Sequence, residues 1–315
     1  MSRRGLLLFV SMCLIWGVPY FFIKVAVGEL SPAMLVFART AISALVLLPL
    51  AGARGYLRPL ASRWRPIMLF ALVEIGVPWL LLGHAEQRLS SSLTALVIAA
   101  VPLVGAVLVF TSPGLERVEW RSTIGLLLGL VGVAALVGLD TGRASLGAIA
   151  EVGLVAVCYA IGPVILDRRL RDLPGFGVIA ASLGFCALAY APVAAFEWPA
   201  VTPSAGVLTS VVVLAIVCTA IAFLLFFALI ATIGPVRATV ITYVNPAVAA
   251  ILGVSALGES FTVGMAVGFA LILVGSVLAT RKPVEAAAAT ALPELDRDTV
   301  PAAGLAAAES ACLAD

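Results

Sequence analysis

The chain has 315 residues, 63% of them hydrophobic and only 11% charged, with a mean hydropathy of +1.17. Water-soluble domains carry about 25% charged residues, so this composition excludes one and calls for a multi-pass membrane protein. The net charge of +2 conceals an uneven split, because residues 283–315 hold six acids and one base while the rest holds 18 bases against 11 acids. That basic surplus is dispersed through short loops and bears on orientation, not on nucleic acid.

Crossing a hydrocarbon core about 30 Å thick takes about 20 apolar residues. Ten such runs are predicted, over about 5–27, 33–53, 66–87, 92–112, 122–139, 146–166, 176–196, 205–231, 236–257 and 261–280. Arg3 and Arg4 ahead of the first run mimic a signal peptide, but the run is too long and no small-residue cleavage site follows, so it reads as a retained helix. Within it, L-I-W-G-V-P-Y-F-F-I-K from Leu14 to Lys24 places Trp16, Tyr20 and Lys24 at four-residue spacing on one face. Charge at bilayer depth is costly. Lys24, near the helix end, is therefore expected at the rim or gate, pairing with Glu29 or Glu86, with Trp16 and Tyr20 deeper and touching cargo.

Arg39 falls about six residues into the second run, roughly 9 Å deep at the helical rise. A guanidinium there can hold a carboxylate bidentately or form an ion pair with Glu74 or Glu86. The third run carries Glu74, a candidate for binding an amino group or a proton, followed by Pro78 and Trp79, which predict a kinked, cavity-lining segment. His84, the only histidine, and Glu86 lie near its outer end as rim candidates. The ninth run begins with a polar patch of Thr239, Thr242, Tyr243 and Asn245 beside Pro246, a further cargo-contact candidate. Glu116 and Glu259 precede the fifth and tenth runs and suit helix capping or a gate contact. The pairs Gly125/Gly129 and Gly264/Gly268 in those runs allow close helix contact, within the bundle in preference to between protomers. Four cysteines lie inside apolar runs and Cys312 in the tail, with no disulfide framework or metal spacing.

Counting basic residues on alternate sides puts fourteen on one side and two on the other, leaving out the tail and the embedded Lys24 and Arg39. The positive-inside rule then predicts cytoplasmic N- and C-termini. A shift of 143 residues carries Trp16 onto Tyr159, Leu30 onto Leu173, Pro49 onto Pro192, Ala85 onto Ala228, Glu116 onto Glu259, Gly125 onto Gly268 and Gly132 onto Gly275. Tyr159 thereby becomes the inverted counterpart of Trp16 and joins the cargo candidates. Five helices per copy is an odd number, so the second copy inserts upside down. The expected fold is all-α integral membrane: ten transmembrane helices as two inverted five-helix repeats, 1–139 and 140–282, followed by a disordered acidic, Ala-rich cytoplasmic tail over 283–315.

Trp16-Gly17 with Lys24, Arg39, the A-L-I-A-T-I-G-P run at Ala228 to Pro235, T-Y-V-N-P at Thr242 to Pro246, and L-G-E at Leu257 to Glu259 with Gly268 and Gly275 beyond resemble the drug/metabolite transporter superfamily, EamA type. The first copy departs from the pattern at H-A-E-Q-R-L, His84 to Leu89, and at Leu115-Glu116. The resemblance implies an inner-membrane carrier that exports amino acids, aromatic ones included, or other small metabolites.

The expected function is a secondary exporter of such metabolites working by alternating access through a central cavity. The alternatives are a broad-specificity drug/metabolite facilitator or uniporter and, from another class, an intramembrane enzyme. The absence of H-E-x-x-H and of a phosphate-cradling glycine loop argues against the last. Expected partners are a small-molecule substrate and the lipid bilayer, without nucleic acid, cofactor or metal, as a monomer or weak homodimer.

Overall fold

The computed structural model describes residues 2–110, 120–138, 145–234, 238 and 240–280. Glu116, Thr239 and the 283–315 tail lie outside the described residues.

Among the described residues seven helices are long and apolar enough to cross a membrane: α1 (Arg3–Ala26), α2 (Pro32–Ala53), α3 (Arg58–Glu86), α4 (Ser91–Leu108), α6 (Leu146–Arg169), α7 (Gly175–Phe196) and α8 (Ala205–Ile233). Three shorter apolar helices accompany them: α5 (Trp120–Gly138), α9 (Ile241–Leu257) and α10 (Val263–Thr280). Among the described residues there is no strand. Serine side chains set several starts: Ser2, Ser31, Ser90 and Ser204 each accept a hydrogen bond from the backbone amide three residues on, satisfying donors that the first helical turn leaves free. Gly258, at φ +66°, closes α9 in the left-handed conformation that a side chain would resist.

The pairing of helices is regular. α2 packs on α7, α4 on α9 and α5 on α10, while α1 packs on α8 and α3 on α6. Lipid offers no hydrophobic drive between helices, so close approach rests on small residues and polar bonds. The α5–α10 contact is built that way: a Cβ at Gly275 would stand 2.5 Å from the Gly125 carbonyl and the Gly129 amide, and one at Gly132 would stand 2.8 Å from the Ile272 amide. Gly125, Gly129, Gly132, Gly268 and Gly275 are therefore used inside this bundle.

Several helices are interrupted where the backbone loses or shifts a hydrogen bond; α4, for one, breaks at Ala99–Ala100 just before Pro102. α1 breaks at Trp16–Val18 ahead of Pro19, whose missing N–H cannot bond back. α3 widens into a π turn over Leu72–Gly76, just before Pro78, and α8 does the same over Val213–Ile221 without a proline. In α8 the hydroxyl of Thr219 bonds the Leu214 carbonyl at 2.8 Å, competing with the regular ladder. Shifting 72–76 by 143 gives 215–219, inside the second π turn. Each turn is laced to an opposing helix: Ser43 of α2 donates to the Ala215 carbonyl at 2.9 Å. On the first turn Tyr190 of α7 donates to the Gly76 carbonyl at 3.1 Å, and Cys186 of α7 donates to the carbonyl of Ala71, just before it, at 3.4 Å. Ser43 and Cys186 are themselves 143 residues apart.

Candidate functional site

Arg39, from the middle of α2, lies flat over the indole of Trp79 on α3, its Cζ 3.5 Å from the ring centroid. Its Nε donates to the Thr219 hydroxyl on the π turn of α8 at 3.0 Å. The arginine is 7% exposed and the tryptophan 9%, so the stack is desolvated, where a cation–π contact reaches about 2 kcal/mol or more. The expected ion pair with Glu74 or Glu86 is not formed. Among the described residues the two ion pairs are Arg63–Asp172 and Arg88–Glu151, both elsewhere, and the Thr219 bond is the one hydrogen bond Arg39 donates through its side chain. Trp79 takes the place of a carboxylate by covering the guanidinium face, which leaves the Nη edge without an anionic partner.

Tyr20 and Tyr159 complete this group. Tyr20 follows the break in α1 and is buried among Leu82, Ala95, Val155 and Ala249. Tyr159 comes from α6, and both phenols are electrostatic neighbours of Arg39. Glu74, on the π turn of α3, neighbours Tyr159. Its Oε2 is buried without a hydrogen-bond partner among the described residues and faces Gly162 of α6, where any side chain would collide with the carboxylate. The structure thus brings Tyr20, Arg39 and Trp79, which are buried, and Glu74 and Tyr159, which are half-buried, into one polar group fed by α1, α2, α3 and α6.

Other sequence candidates fall elsewhere. Trp16 turns toward α8, its ring 4.7 Å from Phe226 and 5.9 Å from Phe223. Asn245, with its amide oriented to donate, bonds the Cys13 carbonyl at 3.1 Å and the Ile241 carbonyl at 2.9 Å, tying α9 to α1 next to Gly17. Thr242 and Tyr243 are half-buried on the same turn. His84 is exposed.

Lys24 pairs with neither Glu29 nor the Glu86 carboxylate. Its Nζ donates to the backbone carbonyls of Glu86 at 2.5 Å and Leu89 at 2.8 Å, where a cation complements the negative end of α3. Glu29 instead accepts from the Ser204 amide at 2.7 Å. Glu259 reaches across to the start of α4 and accepts from the Ser91 amide (2.7 Å), the Ser92 amide (3.0 Å) and the Ser92 hydroxyl (2.6 Å). Burial alone would push the Glu259 carboxyl up, but these hydrogen bonds together outweigh it and hold the group below its ordinary value. The 87–90 connection between α3 and α4 is therefore clasped at both ends, by Lys24 and by Glu259.

Thr219 and Gly162 were not among the sequence candidates. Thr219 stands 143 residues after Gly76, which no sequence motif singles out, so its place on the second π turn is what selects it. Among the described residues no three His, Cys, Asp or Glu side chains group to hold a metal ion.

The chain matches the EamA-like transporter family twice, over residues 3–138 and 148–281. It is 31% identical to the uncharacterized inner membrane transporter YedA of Escherichia coli, over 88% of this chain and 92% of the relative. It is 24% identical to the uncharacterized transporter YvbV of Bacillus subtilis (93% and 97%) and 28% identical to an uncharacterized transporter of Archaeoglobus fulgidus (89% and 98%). A solved crystal structure superposes with a TM-score of 0.63 at 24% identity, over 89% of this chain and 97% of its own, a likeness that bears on the fold alone.

Proposed function

The chain belongs to the EamA-like transporter family and is a multi-pass inner-membrane protein. From that premise we propose that it is a secondary exporter of small carboxylate-bearing metabolites, amino acids including aromatic and other neutral ones foremost, moved by alternating access. The observation that carries this reading is Arg39: a buried guanidinium, stacked on Trp79, with no acidic partner among the described residues. A buried cation without a counter-ion is costly, and a cargo carboxylate on its Nη edge would offset that cost bidentately. Glu74 stands ready for the amino group, and Tyr20, Trp79 and Tyr159 offer the flat apolar surface that an aromatic or aliphatic side chain would occupy.

The architecture we propose is ten membrane helices in two inverted repeats, 1–139 and 140–282, with both termini and the 283–315 tail in the cytoplasm. Two successive family matches support it, as do the self-symmetric pairings α2–α7, α4–α9 and α5–α10 and the paired π turns 143 residues apart. In such carriers the site lies at the interface of the repeats, near the midplane. Arg39 bonding Thr219 spans that interface. On this orientation Lys24, Glu86 and Glu259 lie at the outer mouth.

Purified protein in liposomes tests the assignment. It is expected to move labelled neutral and aromatic amino acids above the level of empty liposomes, and to lose that transport in Arg39→Gln. Transport indistinguishable from empty liposomes over a broad amino-acid panel overturns the cargo class.

A further inference from the structure

Glu86 ends α3 with its side chain wholly enclosed: the residue is 0% exposed, and among the described residues neither carboxylate oxygen has a hydrogen-bond partner. The charges facing it are otherwise engaged. From α1, Lys24 spends its ammonium on the carbonyls of Glu86 and Leu89, and Tyr20 neighbours the carboxyl from the same helix. From the α9–α10 connection, Glu259 is charged but saturated by three donors from Ser91 and Ser92. Arg88, two residues on, is drawn away to Glu151 of α6 at 2.5 Å. The cations and anions around this carboxyl are thus already matched to helix-end carbonyls and amides or, for Arg88, to Glu151, so among the described residues a further negative charge would be buried without a donor. Leaving an ionised carboxylate in that condition is far more costly than leaving the neutral acid there.

We propose that Glu86 is a proton-binding latch on the outer gate, carrying a proton while the gate is closed and releasing it to outer water as the gate opens. On opening, α1 and α4 part from the end of α3, water reaches the carboxyl, and Lys24 Nζ leaves the two carbonyls to pair with the carboxylate that forms. The proton is the ligand, the carboxyl O–H is the bond that breaks, and no other reactant is needed. Closed and open states differ by one bound proton, so low outer pH favours the closed gate. The inference uses the orientation proposed above but not the cargo, and its test contains no substrate, so failure of the amino-acid assignment leaves it intact.

The full chain in liposomes is titrated from pH 5 to 8 while the carboxylic C=O stretch is followed by infrared difference spectroscopy. In parallel, a cysteine at Ala95, which is fully buried beside Tyr20, is labelled with a membrane-impermeant maleimide, with rates corrected for thiolate fraction. The wild-type protein is expected to lose one carboxylic band as pH rises, and labelling at position 95 is expected to increase about tenfold per pH unit at most, the limit for one linked proton. Glu86→Gln is expected to lack that band and to label at the slow, low-pH rate throughout. Glu74→Gln keeps the band. Lys24→Met, removing the cation that favours the carboxylate, shifts the midpoint to higher pH. A wild-type labelling rate independent of pH, or a Glu86→Gln protein that keeps the band and the pH response, overturns the proposal whether or not any variant folds poorly.

Discussion

The carboxylate of Glu74 and the bare backbone of Gly162 occupy adjoining space between α3 and α6, so that a side chain at residue 162 would overlap the carboxylate. In a helix, Gly→Ala normally stabilises by up to about 1 kcal/mol through reduced chain entropy. Overpacking costs about 1–3 kcal/mol, so here the collision wins. Gly162→Ala is expected to lower the thermal unfolding midpoint in detergent. With Glu74→Ala present the outcome reverses, because the Cβ left at position 74 stands 3.4 Å from the new one, an ordinary contact. Equal destabilisation in both backgrounds would place the constraint on Gly162 elsewhere.

The stack of Arg39 on Trp79 predicts that charge alone will not suffice at this position. Lysine has neither the planar face for the indole nor the fork for a carboxylate. Arg39→Lys is expected to weaken cargo binding at least about tenfold, the equivalent of about 1.4 kcal/mol, while the protein still elutes as a folded species. Trp79→Leu is expected to weaken it less, since it removes the face contact but leaves the Nη edge. Both are read from the concentration dependence of transport in liposomes, and wild-type affinity in Arg39→Lys would remove the guanidinium from the cargo site.

Glu259 predicts a pH dependence of opposite character to that of a buried lone acid. Its folded-state carboxyl is held below the ordinary value by Ser91 and Ser92, so the stability it contributes is fully present above the unfolded-state value. That contribution is lost only as pH falls through the lower, folded-state value. Between pH 8 and 5 the clasp on the start of α4 should therefore not change. Glu259→Gln, which keeps the shape but weakens charge-assisted acceptance, is expected to lower the midpoint by a similar amount at pH 8 and pH 6. A difference that grows toward pH 8 and vanishes at pH 6 would mean that Glu259 titrates within this window.

The apolar runs were legible because each helix is a long hydrophobic stretch punctuated by proline, glycine or serine, and ordering of the chain follows from that pattern alone. Arg39, Glu74 and Trp79 stood out as polar or aromatic groups in apolar surroundings. What hydropathy cannot carry is the hydrogen-bond register: the π turns at Leu72–Gly76 and Val213–Ile221 change which carbonyl each amide meets while leaving composition untouched. Thr219 is selected by its place on such a turn, not by its residue type. Lys24 illustrates the same limit, since a cation at a helix end has headgroups, carboxylates and free carbonyls to choose among. Only the packed position of α3 beside α1 selects the carbonyls of Glu86 and Leu89.

The α5–α10 interface makes the sharpest packing prediction. At Gly275 the three atoms nearest a new Cβ are all backbone, namely the Gly125 carbonyl and the amide and Cα of Gly129, all within 2.8 Å. A side chain can rotate out of the way, but a helix backbone yields only by moving as a unit. Gly275→Ala must therefore push α5 and α10 apart and forfeit contacts along the whole crossing, including that of Gly132 with Ile272. The expected loss is at the upper end of the overpacking range, about 3 kcal/mol. Gly153→Ala on α6 is the control: among the described residues nothing stands within 4 Å of its Cβ, so it is expected to be neutral or stabilising by up to about 1 kcal/mol. Because the close contact is spent inside one chain, Gly275→Ala should lower the unfolding midpoint without changing the oligomeric state measured by chemical cross-linking in native membranes. A variant that unfolds at the wild-type temperature but loses a cross-linked dimer would instead assign this glycine face to contact between protomers.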